Sequence, residues 1–148
     1  GQALCQVLEG TPFRVHVVDE RAEWITAPGL PGSVRRHDRP WEEALPELPW
    51  SEDDAPFVCV MTHRHDVDEQ IVAATLERPA RYVGMIGSRT KAAKIRARLE
   101  ARGVPGAALD RVRCPMGVTG GGKTPREVAI SIAAELLQVL HKETQANP

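Results

Sequence analysis

The sequence predicts an α/β domain built on a parallel sheet. Two continuous apolar runs, Ala55–Met61 and Tyr82–Ile86, have the make-up of strands buried on both faces. Each is followed by a segment with apolar residues at helical spacing, so strands alternate with helices. Glycines, hydroxyl residues and charges collect just after the strands, where open parallel sheets bind ligands.

The elements follow in order. Gln2–Glu9 is helix-compatible, with Gly10 as its stop. The run Phe13-Arg-Val-His-Val-Val-Asp19 alternates and is β-branched, a strand ending at Asp19. Ala27–Gly32 is a Pro/Gly loop and Ser33–His37 a short edge strand. In Trp41–Trp50, Pro46 and Pro49 leave only the first turn free to be helical. After the Ala55–Met61 strand, a helix spans Asp66–Leu76, with Val67, Ile71, Val72 and Leu76 inward and Pro79 beyond its end. After Tyr82–Ile86, Ser88 caps a helix that runs to Arg102, with Ile95 and Leu99 inward and Gly103 ending it. Ala107–Arg111 is one turn and Val112–Cys114 a last short strand. The final helix runs from Pro125 to about His141. Val128, Ile132, Leu136 and Leu140 lie on one side of it, and Glu127, Ser131, Glu135 and Gln138 on the other. The tail after Lys142 is expected to fray.

At 148 residues the chain is the size of one domain, and it is read as one over 1–148. It is 42% hydrophobic with a formal net charge of −1, so its bulk charge points to neither nucleic acid nor membrane. No apolar run approaches the ~18 residues of a membrane span. Cys5, Cys59 and Cys114 are an odd count without C-x-x-C spacing, which fits a reducing compartment better than a disulfide framework. The opening G-Q-A-L-C-Q-V-L-E-G has no signal-peptide features and reads as a helix already under way.

Four clusters carry the suggestive chemistry. Asp19 ends a strand, where dinucleotide-binding folds place a carboxylate for ribose hydroxyls; a solvated turn aspartate reads the same way. Thr62-His63-Arg64-His65-Asp66-Val67-Asp68 resembles the T-H-x-H-x-D-H run of metallo-β-lactamase-type hydrolases but has Val67 and Asp68 where that pattern needs Asp and His. The other histidines, His16, His37 and His141, form no second ligand cluster, so no metal site is assigned. His63 is placed in the crevice, and Asp66 or Asp68 in the first helical turn, against the positive end of the helix dipole. Gly87-Ser88-Arg89-Thr90-Lys91 starts a helix whose amides point outward and attract anions. Between Arg78 and Arg102 stand eight basic residues against one acid, Glu100. Most belong to a solvated face, but cations in a first helical turn oppose the dipole, which an anion bound there would offset.

The fourth cluster is Gly117-Val-Thr-Gly-Gly-Gly-Lys-Thr124, which spells the phosphate-loop pattern G-x-x-x-x-G-K-[ST]. Its surroundings argue against an ATP loop. Arg111–Met116 is too polar and proline-broken for a central strand, and Pro125 has no N–H to offer. Thr124-Pro-Arg-Glu127 is instead a capping box with proline at the first helical position. Gly117, Gly120, Gly121 and Gly122 are then expected to let backbone approach a ligand closely, with Lys123 as an adjacent cation.

Three segments together, V-M-T-H-R-H-D-V-D (60–68), A-R-Y-V-G-M-I-G-S-R-T-K (80–91) and P-M-G-V-T-G-G-G-K-T-P-R-E-V-A-I-S-I-A-A-E-L (115–136), resemble the C-terminal Rossmann domain of the XdhC/CoxI family, the accessory factors of xanthine dehydrogenase and related molybdenum hydroxylases. V-V-D-E-R (17–21) fits as well. The resemblance implies a Rossmann-like, doubly wound parallel sheet. It implies a cytoplasmic bacterial maturation factor, more chaperone than enzyme, that binds molybdenum cofactor (molybdopterin). Such factors bring it to a sulfur donor of the cysteine desulfurase type, deliver it to the apo-molybdenum hydroxylase and act as homodimers. The crevice residues it implies are Asp19, Thr62, His63, Gly87, Ser88, Lys91, Gly117, Lys123 and Thr124. Cys114, beside the glycine turn, either approaches the metal of that cofactor or is a small buried side chain. A nicotinamide oxidoreductase using NAD(P) in the same crevice is the alternative. A partner-docking domain with a vestigial crevice is the third reading. The sequence departs from the family in lacking the glycine loop close to G-A-G-H-V-G and the first strand before it, and in its three consecutive glycines. Without that strand, the Phe13 and Phe57 strands would be separated. Either the chain is a fragment or its sheet closes differently.

Overall fold

In the computed structural model, residues 1–146 are described, with side chains through Lys142. The chain divides into two compact units, Gly1–Leu48 with the segment from Gly117 onward, and Pro49–Met116.

In the first unit, helix α1 (Gln2–Leu8) packs on the last helix, α7 (Pro125–Ala146). Strand β1 (His16–Val18) pairs in parallel with β2 (Arg35–His37), with His16 opposite Arg35 and Val18 opposite His37. Cys5, Leu30 and Val34, with Val15 and Val17 against them, form a small core. A short helix α2 (Ala22–Ile25) and a helical turn α3 (Trp41–Ala44) followed by a 3-10 turn (Leu45–Glu47) complete the unit. Sequence reasoning confines helix to the first turn of Trp41–Trp50, and Pro46 accordingly falls in the 3-10 turn. It passes over α2, because four residues hold no repeat of a helical period.

In the second unit, β3 (Phe57–Val60), β4 (Tyr82–Met85) and β5 (Val112–Arg113) form a parallel sheet in the order β3-β4-β5. Helices α4 (His65–Leu76), α5 (Arg89–Ala101) and α6 (Gly106–Leu109) connect them. Val60, Val72, Met85, Ile95, Leu99 and Leu109 form the core, joined by Val58, Val112 and Cys114. The period-2 alternation puts Phe57, Tyr82 and Arg113 on the opposite face of the sheet. There the Phe57 and Tyr82 rings lie 5.9 Å apart, Arg81 sits over Phe57 and Arg113 over Tyr82.

The architecture is that of the predicted α/β class, with parallel strands throughout. The expected separation of the Phe13 and Phe57 strands also appears, since β1 and β3 belong to different sheets. On α7, Ile132 and Leu136 are buried as predicted, but so are Ser131 and Glu135, which helical periodicity puts on the outer side, while Ile130 is 52% exposed. The buried arc is wider than one apolar stripe because Ala129, Ala133 and Ser131 are small enough for close packing. The helix also continues past Lys142 to Ala146, where the sequence predicts fraying; residues 147–148 lie outside those described.

Candidate functional site

The second unit gathers one group of predicted residues at the carboxyl ends of β3 and β4. The centre of this group is Asp68, whose side chain is 1% exposed. Its Oδ1 accepts from the Thr62 backbone N–H at 3.0 Å and lies 2.7 Å from the Thr62 hydroxyl. Its Oδ2 accepts from Lys91 Nζ at 2.6 Å, and the same ammonium donates to the Ile86 carbonyl at 2.9 Å. One buried carboxylate thus ties the loop after β3 to the first turn of α5. A buried charge survives only when paired and hydrogen-bonded, and this one has three donors.

Lys91, predicted to face a ligand, is therefore committed to the chain's own carboxylate and is only 12% exposed. Thr62 acts as a loop fastener, since its hydroxyl also accepts from the Arg64 N–H at 3.1 Å. His63 is exposed. Asp66 is exposed and paired with Arg64 at 2.6 Å, which holds its carboxyl below the usual range. Three further cations are similarly engaged: Arg98 and, just past α5, Arg102 meet the buried Glu69, and Arg96 meets Glu100 and Asp110. Much of the basic excess along this stretch of sequence is thus neutralised locally.

Ser88 caps α5 as predicted, its hydroxyl accepting from the Lys91 N–H at 3.1 Å. The N–H groups of Arg89 and Thr90 have no acceptor among the described residues, and the Arg89 side chain is exposed. Unpaired first-turn amides at the positive end of a helix dipole are an arrangement suited to an anion. Cys114 reaches the same place, with Sγ 3.8 Å from the Gly87 carbonyl and 3.9 Å from that of Ser88. Burial pushes its thiol pKa up, against the pull of nearby Lys91. Among the described residues no group of three metal-type ligands forms.

The first unit holds the remaining predicted residues. Asp19 has both carboxylate oxygens on Arg21, with Nε–Oδ1 at 3.0 Å and Nη2–Oδ2 at 2.8 Å, and Oδ1 also accepts the Arg21 N–H. A ribose would have to compete with this fork. In the glycine loop the predicted capping box is present. Glu127 N–H donates to Thr124 Oγ1 at 3.2 Å, and Glu127 Oε2 accepts from Thr124 N–H at 2.9 Å. The same oxygen also takes the Lys123 N–H at 3.1 Å. Glu127 thus takes up the two amides next to the glycines, and these contacts depress its pKa.

The glycines serve this packing. A Cβ on Gly122, at φ +88°, would meet the Glu127 carboxylate; one on Gly117, at φ +107°, or on Gly121 would meet Ser131. Ser131 Oγ in turn donates to the Val118 carbonyl at 2.9 Å. Gly120 is exposed, with open space around it. The close approach expected of these glycines is to the chain's own Glu127 and Ser131.

Sequence reasoning missed Asp68 as the organiser, Arg21 as the partner of Asp19, and Ser131 as the residue under the glycines. A signal existed for Asp68: it precedes the inward Val72 by four residues and so shares its face.

Comparison with known proteins agrees with this architecture. A crystal structure of a xanthine dehydrogenase from Bacillus halodurans superposes with a TM-score of 0.79 at 27% identity, covering 99% of this chain and 41% of that one. A probable xanthine dehydrogenase subunit from Bacillus subtilis is 26% identical over 135 residues, 91% of this chain and 38% of the relative. An uncharacterized protein, YqeB, from Escherichia coli is 34% identical over 83 residues, 56% of this chain and 15% of the relative. The chain spans well under half the length of these relatives. Residues 1–136 match the XdhC Rossmann domain, and the chain belongs to that family.

Proposed function

We infer that this chain is the cofactor-holding module of an accessory factor serving a xanthine dehydrogenase-type molybdenum hydroxylase. Its family and the names of its relatives support the association with xanthine dehydrogenase. The observation that carries the binding role is the start of α5, where the Arg89 and Thr90 N–H groups have no acceptor among the described residues and both residues are exposed. The phosphate of molybdopterin is the matching anion. Asp68 and Lys91 act as positioning residues that hold the loop after β3 and the start of α5 in register. Handover from a cysteine desulfurase-type sulfur donor to the apo-hydroxylase, a homodimeric state and a cytoplasmic setting complete the reading. Among the described residues no helix is long and apolar enough to cross a membrane.

The NAD(P) alternative rests on Asp19 at the end of β1, and the Arg21 fork opposes it.

The test is binding of released molybdenum cofactor against NAD(H) and NADP(H). A charge-assisted hydrogen bond contributes about 1.5–3 kcal/mol, roughly 10- to 150-fold in affinity. Arg89→Ala is expected to lose about tenfold or more in cofactor binding, and Ser88→Ala less. Lys123→Ala is expected to change little, because Glu127 already occupies the neighbouring amides. Tight nicotinamide binding with none for the cofactor reverses the reading.

A further inference from the structure

One face of the β1–β2 sheet carries two histidines with no role at the α5 site. Side chains alternate along a strand, so Val15 and Val17 turn to the small core while Arg14, His16, Arg35 and His37 share the opposite face. His16 pairs with Arg35 in the ladder and Val18 with His37, so the two imidazoles are diagonal neighbours across the strands. His16 Nδ1 lies 3.0 Å from His37 Nε2. The ring planes are within 12° of parallel and the centroids 5.2 Å apart, which fits rings set end to end along the nitrogen–nitrogen line.

A hydrogen bond between two imidazoles needs one N–H and one bare nitrogen. The neutral pair has both. A pair carrying one extra proton keeps the bond and gains charge assistance. A second proton puts an N–H on each side of the 3.0 Å gap, and two cations then face each other. The surroundings resist that second proton: burial, and the positive charges of His37, Arg35 and Arg14, lower the His16 pKa. By alternation Arg36 and Asp38 fall on the other face, with Arg36 donating to the Ile25 and Leu30 carbonyls. Arg39 and, more weakly, His37 lower the Glu47 pKa, so that carboxylate acts on the pair while Arg39 holds it at 2.6 Å. Asp19 is held by Arg21 at 2.8 Å.

We propose that the His16–His37 bond is a proton-operated latch on the β1–β2 ladder, closed while one ring keeps a bare nitrogen and released when both rings are charged. Each strand has three residues, so few other bonds hold the ladder. The bond that closes its carboxyl end runs from the Asp19 N–H to the His37 carbonyl at 3.2 Å. Release therefore loosens the strand end that places Asp19 and its Arg21 fork. The parted rings bind the second proton more tightly than the joined ones, so the open form gains as the pH falls through and below the histidine range. The latch is independent of the α5 site, and neither reading stands on the other.

The test is NMR of the isotope-labelled full chain, which reads nitrogen–nitrogen coupling across the His16–His37 bond and hydrogen exchange at the Asp19 N–H. The coupling is expected to be present at about pH 7.5 and lost by about pH 5. Protection of the Asp19 N–H should fall with it, by about tenfold for each unit by which the closed bond displaces the pair's pKa. Arg35→Gln, at an exposed position, removes a charge that opposes the second proton and is expected to move release to higher pH. His37→Asn should remove the pH dependence of Asp19 protection. The coupling is read on the unaltered chain, so it decides the question even where that variant does not fold. A coupling that persists at about pH 5, one absent at both values, or a release pH that Arg35→Gln leaves unchanged would each overturn the latch.

Discussion

Removing the ammonium beside Asp68 tests the structural centre of the second unit. Lys91→Met keeps the aliphatic stem and deletes the charge that sits 2.6 Å from Oδ2 of a carboxylate 1% exposed. Breaking a buried pair from one side costs about 3–5 kcal/mol, since the remaining charge is left without its counterion. Here the two Thr62 donors stay in place, so the lower figure, about 3 kcal/mol, is expected. Against a domain stability of about 5–15 kcal/mol this is a large fraction. With a urea m-value of about 1–3 kcal/mol/M, the midpoint moves down by roughly 1–3 M. Urea unfolding followed by circular dichroism measures it. The double variant Asp68→Asn with Lys91→Met leaves no unpaired charge at this position and is expected to recover part of the loss, which a double-mutant cycle quantifies. If Lys91→Met shifts stability by less than about 0.5 kcal/mol, as a surface substitution would, the buried-pair argument is wrong.

Three other outcomes follow from the geometry. Gly117→Ala forces a side chain at φ +107° against Ser131 Oγ, and a loss of about 1–3 kcal/mol is expected in thermal unfolding. Thr124→Ala removes the acceptor for the Glu127 N–H and should cost about 1 kcal/mol, with faster hydrogen exchange confined to the first turn of α7. His16 has a folded pKa below its unfolded value of about 6.5. The unfolded chain therefore takes up this proton first, so stability is lost as the pH falls from about 6.5 toward the folded pKa. His16→Asn should flatten that slope in unfolding curves recorded between pH 7 and pH 5.

Local chemistry was legible without coordinates. The Ser88 cap and the Thr124–Glu127 box involve residues three apart, and the chain needs only helical geometry to bring them together. The strand–helix alternation was equally legible, because burial on both faces leaves a continuous apolar run. β1 and β3 fall in different sheets, as the resemblance implied for a chain without the family's first strand.

The sequence by itself determined the α/β class, the parallel strands and the starts of α5 and α7, because each depends on a few neighbouring residues. Only the tertiary structure decided what the charged groups do. Lys91 and Asp68 are 23 residues apart, as are Gly29 and the Gln6 side chain that donates to its carbonyl. Ser131 lies across a turn from Val118. Whether a cation faces a ligand or a buried carboxylate depends on which groups the fold brings within 3 Å, and one-dimensional spacing does not encode that distance.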